Sequence, residues 1–220
     1  MCGIVGYTGK QSVAKQILDA LELLEYRGYD SAGMAIVDET NGQVQIRKRA
    51  GRVADLEKVW KANPVNGICG IGHTRWATHG GVSDVNAHPH RAGRVTLVHN
   101  GIIENYEELK DHFGLADELI SDTDSEVVAA VLNRFYTGDP HEALFQTVKC
   151  LKGTFALVVI FDDIPDVIFA IRNVSPIVAA YREDGTMLAS DVAALGGQAT
   201  SYMVVPEYHV VELHTDDIRV

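Results

Sequence analysis

The 220-residue chain has few cysteines, no long apolar run and fewer basic than acidic side chains. Its three cysteines are odd in number and widely spaced, which excludes a disulfide framework and is typical of a reducing compartment. The longest apolar run, 155–161, is far shorter than the ~20 residues that span a bilayer. No basic segment followed by an apolar stretch opens the chain. We therefore expect no signal peptide, no membrane partner and a cytoplasmic location.

The charge balance also excludes one class of partner. Lys and Arg number 19 against 30 Asp and Glu, which gives a formal net charge of −11. A chain this acidic repels phosphate backbones, so we expect no nucleic acid as its main partner. Its 46% hydrophobic and 22% charged residues are typical of a globular domain, which excludes disorder as the overall state.

Short apolar runs bounded by turn residues predict one strand-rich α+β domain over residues 1–220. Apolar residues at helical spacing predict a helix capped by Ser12, and Asn41-Gly42 predicts a hairpin. The predicted strands are 4–7, 32–38, 44–49, 68–76, 95–103, 154–162, 167–172, 177–182, 186–190 and 203–213, and the later helices are 53–60, 105–113, 127–136 and 142–151. A long polar loop, 78–94, is rich in Gly, His and Asn, and a loop of this length usually has a function.

Cys2 is the first candidate for chemistry. Methionine before a small residue is normally trimmed, so the mature chain is expected to begin with Cys2, whose thiolate is a nucleophile. A free α-amine, with a pKa of roughly 7.7–8.0, is partly neutral near pH 7 and accepts a proton. Cys2 alone would then supply both the nucleophile and the general base. The alternative is that Cys2 is a small buried residue that opens a strand.

Three further positions carry groups that bind anionic oxygen. Arg75 ends a predicted strand before a Gly-rich loop, where it is suited to bind a carboxylate bidentately. The alternative is an exposed arginine stacked on Trp76. Asn100 and Gly101 follow an apolar run, and their side-chain and backbone N–H groups can converge on one oxyanion. The alternative is a turn, because Asn-Gly is a common turn dipeptide.

Asp124 lies in a predicted capping box, Thr123 to Glu126, at the start of a helix. Its carboxylate either interacts with the helix dipole or receives the ammonium group of a ligand. With Arg75, Cys2 and an oxyanion hole, Asp124 completes a site suited to an α-amino acid that carries a side-chain amide.

Five histidines lie between residues 73 and 99: His73, His79, His88, His90 and His99. This density is compatible with a metal site, but no carboxylate stands at the His-Glu-x-x-His spacing. We expect structural histidines and no metal. A metal-binding protein built on this cluster is the alternative.

Several segments resemble one known family. Residues 2–6, Cys-Gly-Ile-Val-Gly, resemble the opening of class II glutamine amidotransferases. Within that class, the chain is similar to the glucosamine-6-phosphate synthases, or glutamine–fructose-6-phosphate aminotransferases (isomerising), in blocks 24–33, 73–80, 86–90, 98–105, 121–126 and 188–191. Amidophosphoribosyltransferases favour Tyr-Ser-Thr after the arginine, where this chain has Trp76-Ala77-Thr78.

The resemblance implies a four-layer αββα sandwich of the N-terminal nucleophile hydrolase type, in which Cys2 attacks L-glutamine. The residues it implies are Cys2, Asn100 and Gly101 for catalysis, Arg75, Trp76, Thr78, His79 and Asp124 for substrate binding, and Arg27 and His88 for support of the N-terminus and loop. Trp76, Thr78 and His79 would lie on a loop that covers glutamine.

The resemblance further implies no metal or organic cofactor and a homo-oligomeric whole protein. It also implies C-terminal sugar isomerase domains, absent from this chain, that bind fructose 6-phosphate and receive ammonia. Two alternatives remain besides the metal-binding protein. One is the glutaminase domain of another class II amidotransferase, and the other is a non-catalytic domain that only binds glutamine.

Overall fold

Two antiparallel β-sheets form the centre of the fold in this computed structural model, which describes residues 2–220. The strands are β1 (Gly3–Gly9), β2 (Ser31–Val37), β3 (Val44–Ala50), β4 (Cys69–Arg75), β5 (His90–Ala92), β6 (Val95–Ile103), β7 (Gly153–Phe161), β8 (Ile164–Asn173), β9 (Val178–Arg182), β10 (Gly185–Ala189), β11 (Ala199–Val204), β12 (Val211–His214) and β13 (Asp217–Arg219). The helices are α1 (Val13–Glu22), α2 (Val53–Ala62), α3 (Tyr106–Phe113), α4 (Asp124–Phe135) and α5 (Pro140–Cys150), with 3₁₀ helices at Glu25–Arg27 and Val192–Leu195.

The first sheet has the strand order β11-β9-β10-β1-β4-β2-β3, and the second has the order β13-β12-β8-β7-β6-β5. Three buried apolar clusters separate four layers. One cluster, with Ile71 and Val158, lies between the two sheets. The second joins α1 and α2 to the first sheet, and the third joins α3, α4 and α5 to the second. The layers therefore follow the αββα order that the resemblance implies.

The apolar run in β7 shows how the sequence specifies this layering. Phe155, Leu157, Val159 and Phe161 belong to the cluster under the helices, whereas Ala156, Val158 and Ile160 belong to the cluster between the sheets. Side chains on a strand alternate between its two faces, so a strand buried on both faces needs an unbroken apolar run. The run at 155–161 is thus a central strand covered on both sides.

Glycines in β4 allow α1 to approach the first sheet closely. A Cβ built at Gly72 would lie 2.3 Å from Ile17 Cγ2, and one built at Gly70 would lie 3.1 Å from Val13 Cγ2. Val13, Ile17 and Leu21 recur every four residues and are fully buried on this face. Ser12 occupies the N-cap position as predicted, but its side chain makes no capping hydrogen bond.

The prediction of one strand at 203–213 is wrong. The segment contains the end of β11, a connection, and most of β12, and these two strands belong to different sheets. Pro206 lies in the connection and has no backbone N–H to donate to a strand partner. Tyr208, two residues later, has a φ of 56°, outside the strand region, so the chain bends and crosses to the other sheet.

The long loop 78–94 is also shorter than predicted, because His90–Ala92 forms β5 and pairs with β6. The predicted hairpin is confirmed as β2 and β3. None of the helices between residues 2 and 220 is long and apolar enough to cross a membrane.

Gly33 in β2 provides a test of the packing beneath the loop. A Cβ built at Gly33 would lie 1.9 Å from the His88 carbonyl oxygen. Gly33→Ala must displace the His88 backbone, so we expect the free energy of unfolding in urea to fall by about 1–3 kcal/mol. Gly81→Ala is the control, because a Cβ there meets no heavy atom within 4 Å, and we expect a change within about 0.5 kcal/mol. Equal stabilities of the two variants would contradict this packing.

Candidate active site

Cys2 directly precedes β1. Because β1 pairs with β4, the Cys2 thiol lies at the end of β4. Gly3 is opposite Thr74 in this register. The backbone N–H of Trp76 donates a hydrogen bond to Cys2 Sγ at 3.2 Å. The register of two neighbouring strands therefore fixes the position of the sulfur atom.

A second set of contacts holds the start of β1 against the end of β10. The Ile4 N–H donates to Ser190 Oγ, and the Ser190 N–H donates to the Ile4 carbonyl, both at 3.0 Å. Arg27 Nη1 donates to the Ser190 carbonyl at 3.0 Å and to the Asp191 carboxylate at 3.1 Å. Arg27 thus lies beside the N-terminal strand, and its supporting role stays a prediction.

The environment of Cys2 determines its protonation. Burial raises the pKa of the Cys2 thiol above its ordinary value of 9.0, and the hydrogen bond from Trp76 and the charge of Arg75 offset only part of this rise. The thiol is therefore protonated at neutral pH and needs a base before it can act as a nucleophile. Burial raises the pKa of Cys69, in the core between the sheets, to about 12, so this thiol also stays protonated.

Asn100 and Gly101 lie within β6, on the second sheet, so the alternative of a turn is wrong. Asn100 Nδ2 donates to the Cys2 carbonyl oxygen at 3.1 Å, which joins the second sheet to the N-terminal residue of the described chain. Gly101 has a φ of 140°, and a Cβ there would lie 2.0 Å from the Thr154 carbonyl oxygen. Only glycine fits this position, because any side chain meets both strain and a backbone clash.

Arg75 ends β4 and is almost fully buried, at 4% exposure, so the alternative of an exposed arginine is wrong. Its guanidinium donates to the carbonyl oxygens of His79, Gly80 and Gly81. An arginine side chain has five N–H donors. Three of them therefore close the loop that follows β4.

Asp124 is the first residue of α4 and directly follows the N-cap residue Thr123, at the helix start that the capping box predicts. Its Oδ2 accepts the Ile103 N–H at 2.9 Å, and Ser125 Oγ donates to its Oδ1 at 3.3 Å. Half of the predicted capping box is confirmed, because Thr123 Oγ1 accepts the Glu126 N–H at 3.2 Å. The other half is wrong. The Glu126 carboxylate instead accepts the backbone N–H groups of residues 120 and 121.

Trp76, Thr78 and His79 follow Arg75 on the loop and line the cavity beside Cys2. Trp76 is 47% exposed and meets the ring of Tyr29 edge-on at 5.9 Å between centroids. The His79 ring meets the Tyr106 ring edge-on at 5.3 Å. These contacts hold the loop beside Cys2, between the residues that precede β2 and the start of α3.

Four of the five clustered histidines are buried: His73, His88, His90 and His99. The rings of His73 and His88 stack at 4.0 Å, and His90 meets His88 edge-on at 4.7 Å. His88 Nδ1 accepts the His99 N–H at 3.2 Å. Within residues 2–220, no group of three or more His, Cys, Asp or Glu side chains is arranged to hold a metal ion. Ring stacking and the backbone hydrogen bond from His99 hold these buried rings against one another.

Two cavities meet at Cys2. The smaller, about 20 Å³, is lined by Arg75, Asp124 and Gly101, among others. A volume of this size holds roughly one water molecule. The larger, about 330 Å³, lies towards Asn100 and Arg27. Cys2, Trp76, Thr78 and Gly101 line both cavities, so the loop after β4 forms part of the wall between them.

The structure also brings to the site four residues that the sequence analysis did not assign to it. Thr123, Ser125 and His99 line the smaller cavity, and Ser190 fixes β1. Each lies within or beside a block that resembles the family, at 98–105, 121–126 or 188–191. That position in the sequence was the available signal. Their contacts depend on pairings between distant segments, which local patterns do not specify.

The layer order and the two antiparallel sheets, with Cys2 directly before β1, define the fold of N-terminal nucleophile hydrolases of the class II amidotransferase type. Among solved structures, the glutamine phosphoribosylpyrophosphate amidotransferase of Bacillus subtilis, complexed with ADP and GMP, superimposes with a TM-score of 0.83. The match covers 99% of this chain and 48% of that one at 21% identity, so it shows the fold alone. A class II glutamine aminotransferase domain protein from Silicibacter pomeroyi matches with a TM-score of 0.62 at 16% identity, covering 98% of this chain and 100% of that one.

Sequence comparison identifies the family. The family described as a glutamine amidotransferase domain matches residues 37–215. The chain therefore belongs to the glutamine amidotransferase domain family. It is 46% identical over 226 residues to a protein of Streptomyces coelicolor, and 44% identical over 221 residues to one of Bacillus subtilis. Both relatives are named glutamine–fructose-6-phosphate aminotransferase (isomerizing). The alignments cover 100% and 99% of this chain but only 36% of each relative.

The buried histidines predict sensitivity to mild acid. Burial lowers the pKa of His73 from 6.5 to about 3, and it also lowers the pKa values of His88, His90 and His99. Below about pH 6.5 the unfolded chain therefore binds protons that the folded chain does not, so the folded state loses stability as the pH falls. Each histidine contributes up to about 1.4 kcal/mol per pH unit.

Urea unfolding at pH 7.5, 6.5 and 5.5 measures this effect. We expect the free energy of unfolding to decrease at each step. His90→Gln removes one of the four groups, and we expect a shallower dependence on pH in this variant. A free energy of unfolding that is equal at pH 7.5 and 5.5 would contradict the burial of neutral histidines.

Proposed function

We propose that this chain is a glutaminase domain that hydrolyses L-glutamine to glutamate and ammonia, with Cys2 as the nucleophile. The observation that carries the proposal is that Cys2, Arg75, Gly101 and Asp124 line one cavity. A thiol, a cation, an oxyanion donor and a carboxylate are the groups that a side-chain amide of an α-amino acid requires.

The reaction begins once Met1 has been removed. The α-amine of Cys2 accepts the thiol proton, and the thiolate attacks the δ-carbon of glutamine. The negative charge that forms on the amide oxygen is stabilised by the second Nδ2–H of Asn100 and the backbone N–H of Gly101. The C–N bond of the amide breaks, the α-ammonium group of Cys2 returns the proton to the leaving nitrogen, and ammonia departs. Water then hydrolyses the γ-glutamyl thioester, which releases glutamate and restores the thiol.

The two charged groups on the α-carbon of glutamine are each assigned a partner. Arg75 binds the α-carboxylate, and Asp124 receives the α-ammonium group. The smaller cavity holds roughly one water molecule, so glutamine enters only when the loop moves away from Asp124. Trp76, Thr78 and His79 lie on that loop and then close over the substrate.

The whole protein is proposed to be a glutamine–fructose-6-phosphate aminotransferase. This rests on the names of the relatives, of which the chain spans 36%. In that assignment the ammonia passes to fructose 6-phosphate in sugar isomerase domains outside this chain. The homo-oligomeric state and the cytoplasmic location stay predictions.

A second candidate function is a domain that binds glutamine without turnover. The raised pKa of the Cys2 thiol favours this candidate wherever the α-amine is blocked, because the thiol then has no base. Calorimetric binding of glutamine without glutamate release would identify it. A glutaminase that serves another acceptor is less consistent with the names of the relatives.

Replacement of the nucleophile tests the proposed function. We expect Cys2→Ala to abolish glutamate release from L-glutamine, because no other group forms the thioester. Cys150→Ala is the control, since Cys150 ends α5 and its thiol donates a hydrogen bond to the Gln146 carbonyl on the same helix. It should keep nearly full activity. An enzymatic assay measures the glutamate that each variant releases. Glutamate release by the Cys2→Ala variant would rule out the mechanism.

A further inference from the structure

His73 links the strand that carries Arg75 to the strand that carries Asn100. It lies in β4 opposite Ile4 and is fully buried between the sheets. Its Nε2 is 3.0 Å from Asn100 Oδ1 and 3.1 Å from the His99 carbonyl oxygen. No step of the proposed reaction uses this imidazole, yet it contacts the side chain that is assigned to the oxyanion.

The neighbours of His73 determine which nitrogen carries its proton. The His99 carbonyl oxygen is only an acceptor, so the nitrogen 3.1 Å from it must donate. Nε2 therefore carries the proton. Nδ1 is buried without a hydrogen-bond partner among residues 2–220, which is consistent with an unprotonated nitrogen. Burial lowers the pKa of His73 to about 3, so this neutral tautomer persists through the physiological pH range.

This tautomer determines the orientation of the Asn100 amide. The atom that faces a donor must be the oxygen, so Oδ1 points to His73 and Nδ2 points away from it. Independently, the Cys2 carbonyl oxygen, 3.1 Å from Nδ2, requires an N–H at that position. One N–H of Nδ2 thus donates to the Cys2 carbonyl oxygen. The second can donate to a ligand in the cavity that Asn100 lines with Cys2 and Gly101.

A reversed amide would be unfavourable at both contacts. It would place Oδ1 against the Cys2 carbonyl oxygen and towards the negative charge that develops on the substrate. It would also place an N–H against the Nε2–H of His73. The His73 ring is itself held by stacking on His88 at 4.0 Å with an interplanar angle of 9°.

We propose that His73 is a positioning residue that holds the Asn100 amide with Nδ2 directed at the oxyanion. The inference rests on the proposed glutaminase function, since the oxyanion arises in that reaction. His73 touches neither substrate nor thiol. Together with the Cys2 carbonyl oxygen, it holds the Asn100 amide in one of its two possible orientations.

Two variants of His73 distinguish the effect of its N–H donor from the effect of its ring shape. His73→Phe keeps a flat ring against His88 but removes the donor, whereas His73→Gln keeps an N–H donor near the position of Nε2. We expect kcat of the Phe variant to fall by roughly 10- to 100-fold, less than the full loss of an oxyanion donor, with KM nearly unchanged. The Gln variant should keep most of the wild-type kcat. Equal losses in the two variants would overturn the inference.

A double-mutant cycle distinguishes positioning from a general structural effect. In an Asn100→Ala background there is no amide to orient, so His73→Phe should cause no further loss of kcat. A structural defect would lower kcat by the same factor in both backgrounds, and that result would overturn the inference.

A measurement without turnover keeps the two proposals separate. In ¹⁵N-histidine-labelled protein, we expect His73 to be protonated at Nε2 and not at Nδ1 from pH 6 to 8. Asn100→Leu should shift the Nε2–H resonance. A proton on Nδ1, or a resonance unmoved by Asn100→Leu, would overturn the role of His73 whether or not the chain is active. Absence of glutamate release from a trimmed wild-type chain would instead refute the proposed function.

Discussion

The position of β1 in the middle of a sheet is the constraint on which the site depends. β1 pairs with β4 on one side and with β10 on the other, so its residues are held by two registers at once. A slip of one residue in either pairing would reverse the faces of all its side chains. The location of Cys2 therefore follows from the fold. A catalytic α-amine further requires that the chain begin at this residue.

The remaining groups reach Cys2 because two sheets pack face to face. Asn100 and Gly101 come from β6 in the second sheet, and Asp124 comes from the helix that covers it. The interface is not purely apolar near the site, since His73 hydrogen-bonds across it to Asn100. A buried polar group is costly unless it is satisfied, so such a network favours one arrangement of the layers.

The sequence specified those elements whose signals are local. The hairpin of β2 and β3, the strand β6 and the helices were predicted from turn dipeptides and apolar spacing. By contrast, β5 has three residues and exists only through its pairing with β6. The apolar cluster that each face of β7 joins depends on which layers cover the strand. The central residues of the site were grouped by their chemistry and the others by resemblance, but the contacts of Arg75 with three loop carbonyls depend on tertiary structure.

The most direct measurement compares glutamate release by two chains that differ by one residue. One chain is liberated by a site-specific protease so that it begins at Cys2, and the other begins with a serine before Cys2. The first should release glutamate. The second should not, although it unfolds at the same temperature, because its Cys2 nitrogen is an amide and cannot accept the thiol proton. Equal rates of release from the two chains would contradict catalysis by the α-amine of Cys2.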